Sequence, residues 1–177
     1  MLDLLRPNML HHCCKHPSEL LSSEMVTSDK AIMQILLDNL QKDQGSEIPV
    51  RAAIIHPERG MIAHTHNQSI TQHDASAHAE ILAIRQAGDL LGNYRLNSCT
   101  LYVTLEPCMM CFYALMHARI SRIVFAAPDA KVGVLSQSAF SDHHIHHNHH
   151  FQWTGGVMAN KSKAIIHAFF AQRRKSC

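Results

Sequence analysis

The chain of 177 residues lacks any hydrophobic run that could cross a bilayer. Its apolar stretch Met109–Met116 ends far short of the ~20 residues a spanning helix needs. Aromatic residues are scarce at 6%, with a single tryptophan, and charged residues are only 17% and nearly cancel to a net charge of +2. A balance that mild does not by itself demand nucleic acid as a partner, although charge can be concentrated locally. Seven glycines and six prolines are too few for a low-complexity or fibrous chain, and 46% hydrophobic residues argue against general disorder. Asp3, Arg6 and a His/Cys patch precede any apolar segment, which argues against a cleaved secretory signal and makes a cytoplasmic chain the expectation. There, six cysteines point to metal ligands, reactive thiols or core packing rather than a disulfide framework. The one excess is histidine: sixteen in all, six of them within His143 to His150.

The length suits one buried core. Residues 1–26 mix Pro7, Pro17, His11, His12, Cys13 and Cys14 without period and read as a loosely ordered extension, leaving 27–177 as a single domain. Beyond Ser28, an expected N-cap, Ile32, Leu36 and Leu40 recur at helical spacing with Met33 and Leu37 beside them, and the helix ends before Gly45. Val50 to Ile55 and Met61 to Thr65 flank the turn His56-Pro57-Glu58-Arg59-Gly60 and form a hairpin. A helix is expected over Ala77 to Ala87, stopped by Gly88, then a buried central strand over Thr100 to Thr104. A helix opening at Pro107 (Cys108 to Ala118), strands at Arg122 to Ala126 and Phe151 to Trp153, and a last helix from Asn160 to Arg173 complete the order. Helices alternating with buried strands predict a layered α/β domain with helices on both faces of the sheet.

Two short elements carry chemistry: His78-Ala79-Glu80, where a loop enters a helix, and Pro107-Cys108-Met109-Met110-Cys111, where a strand end enters another. Cysteines at i and i+3 share one helical face, and the N–H groups and dipole at a helix N-terminus favour thiolate. One His and two Cys supply three ligands of a tetrahedral zinc, leaving the fourth position for water, as in catalytic rather than structural sites. Two thiolates and an imidazole bring such a site to about zero charge, so the bound water needs a base, and Glu80 is placed to be that base and later the acid. A lone Cys-x-x-Cys could equally be redox-active or two buried thiols; the upstream His-x-Glu is what favours metal. Glu106 has two equal readings, a carboxylate that holds the loop and a solvated or capping residue, and is assigned no role.

These paired elements resemble the zinc-dependent nucleobase deaminases. Within them the chain is most similar to the bacterial tRNA-specific adenosine deaminases over roughly residues 28–174, through Glu47-Ile48-Pro49-Val50, His73-Asp74 leading into Ala77 to Ile81, Asn93-Tyr94-Arg95-Leu96, Thr100 to Cys108, Asp129-Ala130-Lys131 and Phe169-Phe170. The resemblance implies a three-layer α/β/α sandwich of cytidine deaminase type, with a central mixed sheet of about five strands. It implies one zinc ion per chain on His78, Cys108 and Cys111, with Glu80 as proton shuttle and Asn67 and the backbone of Ala79 against a flipped base. The implied reaction converts the wobble adenosine of a tRNA, tRNA-Arg in particular, to inosine by hydrolysis. The implied partners are a tRNA anticodon stem-loop and a second copy of the chain, with no membrane. A free nucleobase or nucleoside deaminase of guanine or cytosine type is the alternative within the same fold. For Asn67 an ordinary turn residue is the plain alternative.

Four positions depart from the family by enlarging a side chain: Arg51 and Ala126 stand where it usually has Gly, and Phe112-Tyr113 where it has small residues. Arg51 would alter the anticodon contact if it points to the site and is a surface charge if it points away. The His143 to His150 tract reads as a solvated loop in preference to a metal site. Arg173, Arg174 and Lys175 suit the C-terminal end of a helix, and in the RNA reading add phosphate contacts. Phe169 and Phe170, at helical spacing with Ile165 and Ile166, are expected to pack in the core.

Overall fold

The structure, a computed structural model, describes residues 28–40, 45–136 and 149–175; the readings for residues 1–26 and for residues 143–148 of the histidine tract lie outside these. Helix α1 (Asp29–Leu40) starts where Ser28 Oγ accepts the Ala31 N–H at 3.2 Å, the expected cap. Its residues Ile32, Met33, Leu36, Leu37 and Leu40 are buried, as the periodicity requires. Strands β1 (Arg51–His56) and β2 (Gly60–His66) form the expected antiparallel hairpin, with Gly60 in the left-handed region at φ 69. Helix α2 (Ala79–Leu91) follows, then β3 (Thr100–Leu105), α3 (Met109–His117), β4 (Arg122–Ala127), β5 (Gln152–Thr154) and α4 (Ala159–Lys175).

The five strands lie in the order β2-β1-β3-β4-β5. β1 is antiparallel to both neighbours, whereas β3, β4 and β5 are mutually parallel, so the sheet is mixed. Alternate residues of the central strands feed opposite layers. Ala52, Ile54, Leu101, Val103, Ile123 and Phe125 join Ala79, Ala83 and Ala87 of α2 and Phe112 and Leu115 of α3. Ala53, Tyr102, Val124 and Ala126 join the apolar face of α1, with Ile165 of α4 against them. Both faces are covered, and the three-layer α/β/α sandwich follows.

Two expectations are corrected. Helix α2 runs through Gly88 and stops at Gly92, whose φ of 60 forms the left-handed cap, with the Gly92 and Asn93 N–H groups returning to Asp89 and Gly88 carbonyls. A glycine inside a helix costs only about 1 kcal/mol, so the second glycine, in αL geometry, decides the end. Phe169 and Phe170 do not enter the core: Phe170 is 40% exposed, and Phe169 is half-buried under the Arg173 guanidinium, 4.4 Å from its ring centre. The helix meets the sheet nearer its start, where Ser162 is fully buried and its Oγ donates to the Thr104 carbonyl. Its last turns extend beyond that contact.

At the opposite end, Asp29 binds Arg122 through two bonds of 2.7 and 2.6 Å and accepts the Tyr102 hydroxyl at 2.8 Å, tying α1 to β3 and β4. The Arg122 guanidinium holds the Asp29 carboxyl below its ordinary value of 3.8. A carboxyl depressed in the folded state stabilises the fold above its unfolded value, and that contribution is lost as pH falls through the folded one. Replacing Asp29 with Asn is expected to lower stability by about 1–2 kcal/mol at neutral pH. In urea titrations along a falling pH series the gap between wild type and variant should close below 3.8.

Candidate active site

The site is built where two helices begin. His78 occupies the N-cap position of α2 and Cys108 that of α3, both with extended backbone, and neither side chain caps its own helix. Cys111, one turn into α3, is fully buried, while His78 and Cys108 are half-buried. Their ligand atoms lie within 4.8 Å of one another, with His78 Nδ1 at 3.4 Å from Cys111 Sγ and 3.7 Å from Cys108 Sγ. Bonds of about 2.0 Å to nitrogen and 2.3 Å to sulfur on a tetrahedral zinc separate those ligands by about 3.5 Å. The spacing therefore fits zinc, and so does the chemistry of the set.

A hydrogen bond from Cys111, outweighing the cost of burial and aided by His78, pushes the Cys108 thiol down to about 4. The same bond, together with burial, pushes the Cys111 thiol up. The bond to Cys108 also raises His78, against the opposing effect of burial. Glu80, in the first turn of α2, is 4% exposed. Burial, with the Cys108 charge adding to it, pushes its carboxyl up to about 7. A carboxyl poised near neutrality can both take and give a proton.

Asn67 closes β2 at 9% exposure. Its Oδ1 accepts the Ala79 N–H at 2.8 Å and its Nδ2 donates to the Ile48 carbonyl at 3.3 Å. Thr65 Oγ1 donates to the Ala79 carbonyl at 2.6 Å, so the first residue of α2 is clamped to the strand end from both of its peptide groups. Asn67 and Ala79, each expected against a base, are thus bonded to one another beside the His78 and Glu80 side chains. Glu47 organises the neighbouring segment by accepting the Ile70 and Thr71 N–H groups at 2.9 and 2.8 Å.

Arg51 shares a strand face with Ala53, on the α1 side of the sheet, and its Nη1 lies 3.2 Å from His64 Nε2; it meets His64 rather than the His78–Cys108–Cys111 group. Phe112 and Ala126 are buried core residues on opposite faces, and Tyr113 is 40% exposed. His149, at the end of the histidine tract, lies 2.6 Å from the Ile120 carbonyl. Local sequence gives Glu106 no role, yet it is 3% exposed and accepts bonds from Asp129 and Ser136. Its partners lie 23 and 30 positions further on, beyond the reach of any spacing rule.

Residues 26–127 match the family model of the cytidine and deoxycytidylate deaminase zinc-binding region. The chain is 41% identical over 150 residues to the tRNA-specific adenosine deaminase of Haemophilus influenzae, covering 83% of this chain and 86% of that one. To the tRNA-specific adenosine deaminase of Bacillus subtilis it is 34% identical over 151 residues, covering 85% and 93%. A solved structure from work on A-to-I editing by tRNA:A34 deaminases aligns with a TM-score of 0.70 and 33% identity over 76% of this chain and 98% of its own. The guanine deaminase of Nitrosomonas europaea, 23% identical over 82% and 86% of the two chains, shares the fold at a TM-score of 0.67.

Removing one thiolate from a three-ligand site should abolish tight metal binding and weaken the fold it helps close. Cys108→Ala, purified and dialysed beside wild type, is expected to carry less than about a tenth of the wild-type zinc by elemental analysis and to melt at a lower temperature.

Proposed function

Because the chain belongs to the cytidine and deoxycytidylate deaminase family, we propose that it converts the wobble adenosine of a tRNA, tRNA-Arg in particular, to inosine by hydrolytic deamination. The observation that carries this reading is the placing of His78, Cys108 and Cys111 at zinc spacing with a buried carboxyl, Glu80, beside them. The tRNA half rests on the relatives, which match along most of their length.

In this reading His78, Cys108 and Cys111 hold the zinc. Bound there, zinc supplies the Lewis acidity that makes water a nucleophile at neutral pH. Glu80 accepts a proton from the attacking water and delivers it to the ring nitrogen of the purine; it then takes the second proton from the hydroxyl now on the purine carbon and passes it to the exocyclic nitrogen, which leaves as ammonia as the carbonyl of inosine forms. Burial raises the Glu80 carboxyl to about 7 and so supports both halves of that cycle. The adenine is reached in a single-stranded loop, where flipping it out costs least. Asn67 fixes the start of α2 through Ala79 and offers its amide to the purine edge.

The reading includes a homodimer. Met109, Met110 and Tyr113 of α3 expose 47%, 39% and 40% of their surface beside the ligand-bearing turn, an apolar face suited to a second copy. Among the described residues no helix is long and apolar enough to cross a membrane, and a tRNA substrate puts the enzyme in the cytoplasm.

The test is incubation of the zinc protein with an arginine tRNA anticodon stem-loop carrying a wobble adenosine, read as inosine formed. Glu80→Gln is expected to keep its zinc and lose roughly 10²–10⁴-fold in turnover. Deamination of free guanine or cytosine, with the stem-loop untouched, would overturn the tRNA reading. Tyr113→Asp is expected to shift the sedimenting species from the mass of two chains to that of one, because a charge at an apolar interface is costly.

A further inference from the structure

Glu106 stands between β3 and Pro107, two residues ahead of Cys108, with its backbone N–H bonded to the Ala127 carbonyl at 2.8 Å. Its carboxylate turns onto the loop that leaves the end of β4. Oε2 accepts the Asp129 N–H at 3.0 Å and the Ser136 hydroxyl at 2.7 Å, and Oε1 accepts the Ser136 N–H at 2.6 Å. Both ends of the loop Asp129 to Ser136 therefore converge on one buried side chain.

The middle of the loop is tied down as well. Gly133 pairs with Cys108 as an isolated bridge, and its N–H returns to the Asp129 carbonyl at 3.0 Å. A Cβ at Gly133 would stand 2.4 Å from Glu106 Oε2 and 2.5 Å from the Asp129 carbonyl oxygen. The backbone of the loop thus lies directly on the carboxylate, in a space that only glycine leaves open. Val134 and Leu135 anchor the far side in the core. Between Asp129 and the buried residues 133–135 lies the tip Ala130 to Val132, exposed, with Val132 at 57%. β3 and β4 are parallel, with Leu105 opposite Ala127, so the tip and Cys108 both follow the C-terminal ends of adjacent strands, at the same end of the sheet.

We propose that Glu106 is a positioning residue of the deamination site: by gathering three donors of the Asp129–Ser136 loop, it fixes the exposed tip at a set place beside the Cys108 turn, ready to meet the strand carrying the target base. This rests on the tRNA reading above. A carboxylate suits the task because all three partners are donors and both of its oxygens accept. Glutamine is nearly isosteric but turns one of those oxygens into a donor facing a donor, so the loop loses its hold while the core keeps its volume.

The experiment compares wild type with Glu106→Gln and Ser136→Ala, the second removing only the hydroxyl donor. Two readouts are taken: kcat and KM on the anticodon stem-loop, and hydrogen exchange of the amides of 129–136 in the zinc protein without RNA. Glu106→Gln is expected to raise KM about tenfold, and Ser136→Ala about threefold, with kcat within about threefold of wild type, in line with the loss of one or more bonds to a charged acceptor. Exchange should quicken in 129–136 and not in α2. A lowered melting temperature with KM and loop exchange unchanged makes Glu106 a structural peg and overturns the proposal. So does a loss of kcat with loss of zinc, which would make its support of the metal turn the dominant role. If Glu106→Gln fails to fold, Ser136→Ala alone decides by the same criteria. A wild type that leaves the stem-loop unconverted sinks the tRNA reading, whereas the exchange data still decide whether Glu106 holds the loop.

Discussion

Two helices must begin within one ligand's reach of each other, and most of this fold can be understood as the means of meeting that requirement. The distances of 3.4 and 3.7 Å between His78 Nδ1 and the two thiols leave little slack. Helix α2 is held by packing and by bonds. The small residues Ala79, Ala83 and Ala87 let it lie close on β1 and β2, while Asn67 and Thr65 grip both peptide groups of Ala79. Helix α3 is aimed by β3, the central strand, buried along most of its length and paired on both sides. A ligand delivered from such a strand inherits its rigidity, which is why the sheet centre, rather than an edge, carries Cys108.

Much of this was legible along the chain. Elements whose periodicity is local, such as α1 with its five buried apolar positions, followed from spacing alone. The ligand set was legible for a chemical reason: few tasks other than metal binding use His-x-Glu and Cys-x-x-Cys at two helix starts. What escaped depends on relations no local rule contains. Gly88 and Gly92 are both plausible stops, and only the backbone φ of 60 at the second decides between them. Phe169 and Phe170 have the spacing of core residues, but a helix can run past the sheet it packs on, and then spacing no longer implies burial. The direction of Arg51 was open until strand alternation placed it with Ala53, against His64.

Glu80 and Glu106 show how the same residue type is turned to different ends by its donors. Both are almost fully buried, at 4% and 3% exposure, and both flank metal-ligand positions by two residues. Burial drives the Glu80 carboxyl up to about 7, with the Cys108 charge adding to the rise and the His78 charge and a bond with Cys111 opposing it. Glu106 is met by two backbone N–H groups and a hydroxyl, and its oxygens are occupied. A carboxyl that burial holds near neutrality is suited to proton transfer, whereas one whose oxygens are filled by backbone and hydroxyl donors is suited to holding backbone. The sequence around each is equally terse, a glutamate near a ligand. The difference lies wholly in what the fold brings to it, so chemistry at a site like this is read from the partners of a side chain before its identity.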